Sequence, residues 1–317
     1  MKIVIPGGSG QVGAVLARHF DQRGDEVVIL SRHRTETPGR WQEWDAATLD
    51  DWAEEIDGAD VVINLAGRSV NCRYTPENRR LIKDSRVHST RVIGQAIARA
   101  ATPPRLWLQA STATIYAHRF DAPNDEQGVI GGGEPDAPET WRFSIEVARA
   151  WEQALDESDV PKTRKVKLRS AMIMSPERGG IFDTLLQLVR LGLGGTAASG
   201  RQFISWIHER DFLRAIDWLI THEELDDAVN LAAPGPLPNK EFMAVLRQAY
   251  GMPVGLPAAR WMLEIGAFFM RTETELILKS RRVIPGRLLA QGFHFEFADW
   301  PTAARDLCDR WKSERAR

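Results

Sequence analysis

The sequence is poor in cysteine and close to neutral in charge. Two of its 317 residues are cysteine, Cys72 and Cys308, and they lie far apart without the spacing of metal ligands. Two free thiols and no disulfide framework favour a reducing, cytoplasmic location. The formal net charge of -2 gives no global field that would attract nucleic acid, and no basic block favours an anionic membrane.

Long apolar segments are also missing. No uncharged apolar run is long enough to cross a bilayer. The N-terminal residues Met1–Ile5 lead directly into a predicted strand and a glycine turn, without the apolar region and cleavage site of a secretory signal peptide. With 43% hydrophobic and 26% charged residues, the composition is that of an ordinary globular protein with one large domain or two closely packed ones.

The first half of the chain alternates between strand-like and helix-like segments. The strand-like segments are short and almost continuously apolar, and helical periodicity fills the intervals between them. Buried strands connected by helices predict an α/β fold, a Rossmann-type doubly wound parallel sheet covered on both faces. The predicted strands are Lys2–Pro6, Glu26–Leu30, Asp60–Leu65, Leu106–Ala110 and Val166–Met174, and the predicted helices are Gln11–Arg23, Leu49–Ile56, Pro76–Ala101 and Glu139–Glu157.

The alternation weakens after about residue 175, where prolines mark loops. We predict a Rossmann domain over residues 1–175 and a smaller substrate-side lobe over residues 176–317, which also returns an element to the sheet. The segments predicted for this lobe are helices at Gly179–Leu193, Asp211–Thr221, Asn239–Tyr250 and Arg260–Arg271, and short strands at Phe203–Ile207 and Ala228–Leu231.

A glycine-rich turn separates the first predicted strand from the first helix. Gly7 permits a tight turn, Gly10 lets a pyrophosphate approach the backbone, and Gly13 lets the helix pack against the strand. Free N–H groups at the helix start attract the phosphates. A glycine triplet alone is a weak signal, but its place between strand and helix predicts a dinucleotide site. The residues assigned to this part of the site are Gly7, Ser9, Gly10, Gln11, Val12 and Gly13.

Two further strand ends extend the predicted dinucleotide site. Where an NAD enzyme usually has an acidic residue for the ribose hydroxyls, this sequence has Ser31, Arg32 and Arg34. Because arginine pairs with a 2′-phosphate, this segment favours NADP(H) over NAD(H); the alternative is a pair of solvated loop charges. After the third strand, small residues let the adenosine side of the cofactor lie against the backbone; the segment assigned is Leu65, Ala66 and Gly67.

Together these residues resemble the extended short-chain dehydrogenase/reductase superfamily, and the resemblance covers essentially the whole chain. Its motifs are the turn Gly7–Gly13 and the segments Asn64–Gly67, Gln109–Thr112 and Trp206–Asp211. Residues 255–317 resemble the C-terminal domain of unknown function of the YfcH-like, epimerase-like branch. Other motifs similar to that branch are Asp84–Thr90, Leu191–Gly195, Ser199–Gln202, Pro285–Leu288 and Gly292–Phe295.

The resemblance implies a Rossmann fold, a nicotinamide cofactor and a substrate cleft between the lobes, with Ala110 and Ser111 beside the cofactor. The superfamily also has a Tyr and a Lys four residues apart on the helix after the fourth strand. That tyrosinate exchanges a proton as hydride moves, and the lysine lowers its pKa. In this chain the corresponding helix contains neither residue, and the two slots fall near Ser144 and Ala148.

Two hydroxyl groups are the candidate replacements for the missing pair. Ser111 matches the superfamily's Ser/Thr position and is expected to hydrogen-bond a carbonyl. Tyr116 is the acid/base candidate, although an ordinary tyrosine pKa of about 10 makes a poor base at neutral pH. The alternative for Tyr116 is an aromatic side chain that only lines the pocket.

Candidate substrate contacts come from both halves of the chain, and the arginines among them favour an anionic small molecule. The alternative for His208 is a structural hydrogen bond, and Asp211 is the predicted cap of the helix that begins there. The residues assigned to the substrate wall are Arg73, Tyr74, Arg86, Gln202, Trp206 and His208.

Two functions remain open from the sequence. The first is an NADP(H)-dependent oxidoreductase or nucleoside-sugar-epimerase-like enzyme with an unconventional acid/base, and the second is a non-catalytic NADP(H)-binding sensor or scaffold. No metal site is predicted. The helices Pro76–Ala101 and Glu139–Glu157 occupy positions that pair in many dimeric relatives, so the sequence is compatible with a homodimer.

Overall fold

The computed structural model describes residues 1–135, 137–269 and 273–316. Its strands are β1 (Lys2–Pro6), β2 (Glu26–Ser31), β3 (Arg40–Glu43), β4 (Val61–Asn64), β5 (Leu106–Thr112), β6 (Arg164–Ser170), β7 (Met172–Met174), β8 (Phe203–Ile204), β9 (Trp206–His208), β10 (Asp227–Leu231) and β11 (Leu237–Pro238). Its helices are α1 (Gln11–Gln22), α2 (Pro76–Arg99), α3 (Glu139–Asp156), α4 (Ile181–Arg190), α5 (Glu209–Thr221), α6 (Asn239–Tyr250), α7 (Arg260–Phe269), α8 (Glu275–Leu278), α9 (Gly286–Ala290) and α10 (Trp300–Ala316).

Seven strands form one parallel sheet in the order β10-β6-β5-β4-β1-β2-β3. From β1 the chain moves outward through β2 and β3, then crosses back to β4 on the other side. This reversal is the topological switch point of a doubly wound sheet, and ligands bind beyond the carboxyl ends of the strands there. The predicted Rossmann-type fold is confirmed.

Both faces of the sheet are buried, as the apolar strands predict. In β1 the side chains alternate between two cores, with Ile3 and Ile5 on one face and Val4 on the other. The first core also contains Leu16 and Phe20 of α1, and the second is closed by Ile93 and Ile97 of α2, among others. The helices packed on the two faces therefore hold β1 and β4 in place at the switch point.

Several predicted elements differ in the structure. Edge strand β3, whose sequence is polar, was not predicted, and the segment predicted as a helix at Leu49–Ile56 is a short 3-10 helix at Asp51–Glu55. The strand predicted over Val166–Met174 divides into β6 in the main sheet and β7, which pairs with β9. The predicted end of the helix at Arg271 lies outside the described residues.

The start of α5 and its capping residue also differ from the prediction. The helix begins at Glu209, and the His208 ring accepts a hydrogen bond from the Arg210 backbone N–H at 3.1 Å. Asp211, the predicted cap, is inside the helix. Its carboxylate accepts the backbone N–H groups of Glu296 and Phe297, each at 2.8 Å, and so anchors the C-terminal segment instead.

The second half builds its own core and also contributes β10 to the main sheet. Phe182 of α4, Phe242 of α6 and Trp300 of α10 belong to this third core. Residues 279–284 then cross back to the loop that follows β5, where Asn124 receives and donates backbone hydrogen bonds with Arg282 and Ile284. This crossing closes the space beyond the ends of β5 and β6. None of the described helices is long and apolar enough to span a bilayer.

Candidate cofactor and substrate site

The glycine turn holds the ends of β1 and β4 close together. Gly7 has a φ of +74°, and a Cβ placed there would lie 2.6 Å from the Ala66 backbone. The Leu65 N–H donates to the Pro6 carbonyl at 2.8 Å. At Gly13 a Cβ would lie 2.3 Å from the Gly8 carbonyl oxygen, so this glycine lets the helix start pack against the turn itself rather than against the strand.

Gly10 faces open space, in contrast to its neighbours. A Cβ at Gly10 would meet no atom within 4 Å, and Gly10 is the N-cap of α1 without any side-chain capping bond. The Gln11 side chain packs against Gly180, and its Nε2 is buried without a hydrogen-bond partner among the described residues. Uncapped N–H groups, an unpartnered amide and open space beside the backbone fit a pyrophosphate.

The segment after β2 presents its arginines to solvent. The Ser31 hydroxyl is buried, donates to the His33 carbonyl at 2.7 Å and accepts the Trp41 indole N–H at 3.1 Å. This hydroxyl therefore holds the loop. Arg32 and Arg34 are exposed, so they are the groups of this segment that can meet a 2′-phosphate.

A cavity of about 450 Å³ lies beyond the carboxyl ends of β5 and β6. Two of its lining residues lie next to the predicted dinucleotide site. A Cβ on Gly67, after β4, would lie 3.0 Å from the Arg86 guanidinium carbon, and Ile181 follows Gly180, which contacts Gln11. Most of its wall is apolar, and the apolar side chains include Val70, Ile82, Phe143, Val147, Trp151, Leu185, Phe203 and Ile204.

The positions that normally carry Tyr and Lys do line this cavity. Ser144 and Ala148 both contribute to its wall. The Ser144 hydroxyl donates to the Glu275 carboxylate, and the Tyr74 hydroxyl hydrogen-bonds with Ser144. Burial, with the nearby Glu275 charge, raises the pKa of Tyr74 to about 12. The missing tyrosine is thus replaced by a cluster of polar groups from three separate parts of the chain.

Three charged residues of this cluster come from the C-terminal segment, and the sequence-based site predictions did not include them. Glu275, Lys279 and Arg281 line the cavity. The Lys279 ammonium donates to the Thr114 carbonyl at 2.6 Å, and the Arg281 Nε donates to the Thr114 hydroxyl at 2.9 Å. Their signal in the sequence is a short apolar run with charged residues on both sides over 275–281, which also fits an exposed helix.

Burial shifts the pKa values in this cluster towards the neutral forms. It lowers the pKa of Lys279 to about 8, with the Arg281 charge acting in the same direction. It also raises the pKa of Glu275, against the opposing effects of Arg281, the Ser144 hydrogen bond and Lys279. A buried lysine with a lowered pKa beside a buried carboxyl group with a raised pKa is an arrangement suited to acid–base chemistry.

Arg86 is the other cation at the cavity, and it behaves differently. Its Nη1 donates to the carbonyls of Arg68 and Ile82 at 3.0 and 2.9 Å, and its guanidinium lies 5.0 Å from the centre of the Trp151 ring. In the part of the chain that the structure describes, Arg86 makes no ion pair. Burial lowers its pKa to about 10, so the guanidinium stays charged at neutral pH.

Ser111 lies at the cavity, whereas Tyr116 does not. The Ser111 hydroxyl donates to Glu152 at 2.6 Å, and Glu152 forms a two-pronged ion pair with Arg169. The Tyr116 side chain is buried on the far side of this pair. Its hydroxyl donates to Asn230 at 2.7 Å and accepts from Arg169 at 3.0 Å. The acid/base role predicted for Tyr116 does not fit this position.

The predicted substrate wall is only partly assembled. Tyr74 and Arg86 line the cavity. Arg73 pairs with Glu273, and the Gln202 amide donates to the Ala197 carbonyl beside the cavity. Trp206 belongs to the third core and His208 pairs with Asp306, both fully buried, so neither forms part of the cavity wall. The sequence pattern predicted that these two residues lie on a strand. It did not predict which face of the strand their side chains occupy.

Family models cover both parts of the chain. The model of the NAD dependent epimerase/dehydratase family matches residues 3–232, and the chain belongs to this family. A domain of unknown function, DUF1731, matches residues 258–307, which contain the three charged residues of the C-terminal segment. The resemblance drawn from the sequence motifs is confirmed.

Relatives match over nearly their full length. Epimerase family protein SDR39U1 of Bos taurus is 30% identical over 97% of this chain and 99% of its own, and YfhF of Bacillus subtilis is 28% identical over 97% and 98%. The crystal structure of human SDR39U1, isoform 2, with NADPH superposes with a TM-score of 0.85 at 27% identity, covering 98% of this chain and 99% of that one.

The position of Tyr116 leads to a stability prediction. Tyr116→Phe removes the hydroxyl that satisfies Asn230 in a buried network, so we expect a loss of about 1–3 kcal/mol in the free energy of unfolding. Denaturant unfolding measures this loss, and affinity for NADPH should not change. Tyr250→Phe, at the half-buried end of α6, is the control. Loss of turnover at unchanged stability would instead place Tyr116 in the chemistry.

Proposed function

We propose that this chain is an NADP(H)-dependent oxidoreductase or epimerase acting on a small, mainly apolar substrate that carries an anionic group. The observation that carries the proposal is the proximity of an open glycine turn to a mainly apolar cavity. Ile181 lines the cavity and follows Gly180, which contacts Gln11 at the turn. Arg86 also lines the cavity and lies against Gly67, after β4. A dinucleotide bound at the turn would therefore have its reactive end directed towards the cavity.

The turn and the arginines after β2 support NADP(H) as the cofactor. Gly10 and Gln11 would hold the pyrophosphate, and Arg32 and Arg34 would hold the 2′-phosphate. The small residues Leu65–Gly67 would lie along the adenosine side, and Ala110 and Ser111 would lie nearer the nicotinamide. The human relative with a TM-score of 0.85 was solved with NADPH, which supports the same cofactor for this chain.

The cavity wall supports the proposed substrate class. Aromatic and aliphatic side chains such as Phe143, Trp151 and Leu185 contribute little hydrogen bonding to the many hydroxyl groups of a sugar. Arg86 is charged and without an ion pair in the described chain, so an anionic group on the substrate would compensate it. The expected ligand is an apolar body with one carboxylate or similar anion.

The residues of the cavity would orient and polarise this substrate. Ser111 lines the cavity but donates its hydroxyl hydrogen to Glu152, so its oxygen is better suited to accept a hydrogen bond than to donate one to a carbonyl. The bound nicotinamide would supply or accept hydride. The apolar wall would exclude water and strengthen the electrostatic effect of the nearby charges.

A non-catalytic NADP(H) sensor is the second candidate. The observation that favours it is the replacement of the Tyr and Lys slots by Ser144 and Ala148. The two candidates differ in turnover: both bind NADPH, but only the enzyme oxidises it in the presence of a carbonyl compound. Absence of turnover with every carbonyl tested, at full NADPH binding, would favour the sensor.

A cytoplasmic location and a homodimer stay predictions. The free thiols of Cys72 and Cys308 support the first. For the second, α2 and α3 pack side by side within the chain and carry exposed charges such as Lys83 and Glu146. Dimerisation through these helices would bury those pairs and would appear as a doubled mass in solution.

The role of Gly10 can be tested with one substitution. Gly10→Val should weaken NADPH binding at least about tenfold, equivalent to 1.4 kcal/mol, because the side chain would occupy the space for the pyrophosphate. The fold should be unaffected, since nothing lies near this position. Calorimetric titration measures the change. Gly133→Val, also in open space but far from the turn, is the control; an equal loss there would refute the assignment.

The preference for NADP(H) can be tested at Arg32. Arg32→Ala removes a charge-assisted hydrogen bond and should weaken NADPH by about 10–100-fold, with little effect on NADH. Titrating both nucleotides into the wild type and the variant gives the ratio. Arg40→Ala provides a nearby control, because Arg40 is paired with Glu55. Similar losses for the two nucleotides would exclude a 2′-phosphate contact.

The anion proposed for the substrate can be tested with two matched aldehydes. With NADPH, para-carboxybenzaldehyde should have a lower KM than methyl para-formylbenzoate, which lacks the charge. Arg86→Gln should raise the KM of the acid about tenfold or more and leave that of the ester nearly unchanged. Arg91→Gln, an exposed position on the same helix, is the control. An equal rise for acid and ester would show that Arg86 only supports the wall.

A further inference from the structure

Glu275 lies where the superfamily's tyrosine is missing. Its Oε2 accepts the hydroxyl hydrogen of Ser144, the residue at the tyrosine slot of α3. Ser144 in turn hydrogen-bonds with Tyr74. The carboxyl group thus extends from the short serine into the cavity that it lines. Residues of the C-terminal domain supply a proton-bearing group to a position that the Rossmann domain leaves empty.

The second oxygen of this carboxyl group is unsatisfied. Glu275 is 1% exposed, and its Oε1 is buried without a hydrogen-bond partner among the described residues. Arg281 Nη2 lies 3.9 Å from Oε1, which is too long for a hydrogen bond. A buried oxygen without a hydrogen-bond partner destabilises the fold. Such a group is explained by a ligand that completes it.

The charges around Glu275 allow both of its protonation states. Arg281 and Lys279 from its own segment favour the carboxylate, and Glu273 disfavours it. Ser144 on α3 donates to it, and the Tyr74 hydroxyl is near it. Burial acts against these favourable groups and raises the pKa of the carboxyl above 4.5, its ordinary value. The acid therefore persists to a higher pH than in an exposed glutamate, and its anion has cations beside it.

We propose that Glu275 exchanges the proton of the reaction with the substrate oxygen, in place of the absent tyrosine. This inference rests on the function proposed above. In reduction, the protonated carboxyl donates its hydrogen to the carbonyl oxygen while hydride from the reduced nicotinamide forms the new C–H bond. The carbonyl becomes an alcohol, the nicotinamide is oxidised, and Glu275 is left as a carboxylate beside Arg281. Solvent then returns the proton.

Tyr74 is the other acid in the cluster and is less suited to this role. Its pKa is raised to about 12 by burial and by the Glu275 charge. An acid–base group works best when its pKa lies near the operating pH, because both states must then be populated. Tyr74 and Ser144 hold the carboxyl in place, so they are positioning residues.

The first experiment measures turnover of para-carboxybenzaldehyde with NADPH. Glu275→Gln keeps the shape and loses the proton, so kcat should fall about 100-fold or more, while KM and NADPH affinity change little. In the alcohol-oxidation direction, the wild-type rate should fall at low pH, and this fall should be absent in Glu275→Gln. The control is Glu126→Gln, because Glu126 is a half-buried carboxyl whose pKa is also raised by burial, and it lies outside the cavity wall.

The second experiment needs no turnover. Because the folded protein keeps Glu275 protonated above 4.5, the ordinary value, it binds more protons than the unfolded chain, and stability falls as pH rises towards the raised pKa. Glutamine does not titrate. The stability of Glu275→Gln relative to wild type should therefore increase as pH rises above 4.5 towards the raised pKa of Glu275. Infrared difference spectra with labelled glutamate should show a protonated carboxyl in the wild type alone.

The outcomes separate the two proposals. If the wild type fails to bind NADPH or turns over neither aldehyde, the proposed function is wrong and the role of Glu275 falls with it. If the wild type is active and Glu275→Gln is equally active, only the inference about Glu275 is overturned. A Glu275 carboxyl that titrates at or below 4.5, together with a stability difference that does not change with pH, would overturn it too.

Discussion

The site depends on the return of the C-terminal segment to the loop after β5. Lys279 donates to the Thr114 carbonyl, the Ser280 N–H donates to the His118 ring at 2.7 Å, and Arg282 and Ile284 pair with Asn124. These bonds join two parts of the chain about 160 residues apart. Without them the cavity would be an open groove at the sheet edge, and the Glu275 carboxyl would be in water with an ordinary pKa.

The same return brings charged groups to the cavity at the helix positions where the superfamily has its Tyr and Lys. In the superfamily, one helix carries both groups. Here α3 keeps only a serine at the tyrosine slot, and the charges come from a segment that belongs to a different domain model. Joining the two domains would then be a condition for chemistry, because the Rossmann domain holds the dinucleotide site and the C-terminal segment holds the ionisable groups.

A second buried network supports the sheet beneath the cavity. Ser111 donates to Glu152, Glu152 pairs with Arg169, and Arg169 donates to Tyr116, which donates to Asn230 on β10. Each of these polar groups has a partner, which is the condition under which a buried ion pair is tolerated. The network connects β5, α3, β6 and β10, and so holds β5 in the position from which Ser111 reaches the cavity.

The sequence by itself determined the Rossmann fold, because the two signals for it are local. They are the apolar strands that alternate with helices and the glycine turn after β1. It also showed that Ser144 and Ala148 occupy the helix positions where the superfamily has its Tyr and Lys. Only the tertiary structure decided which polar groups meet at the cavity: Glu275 and Lys279 were overlooked, and Tyr116, Trp206 and His208 were placed there wrongly. A residue's spacing along the chain gives its element, but the direction of its side chain depends on packing with distant segments.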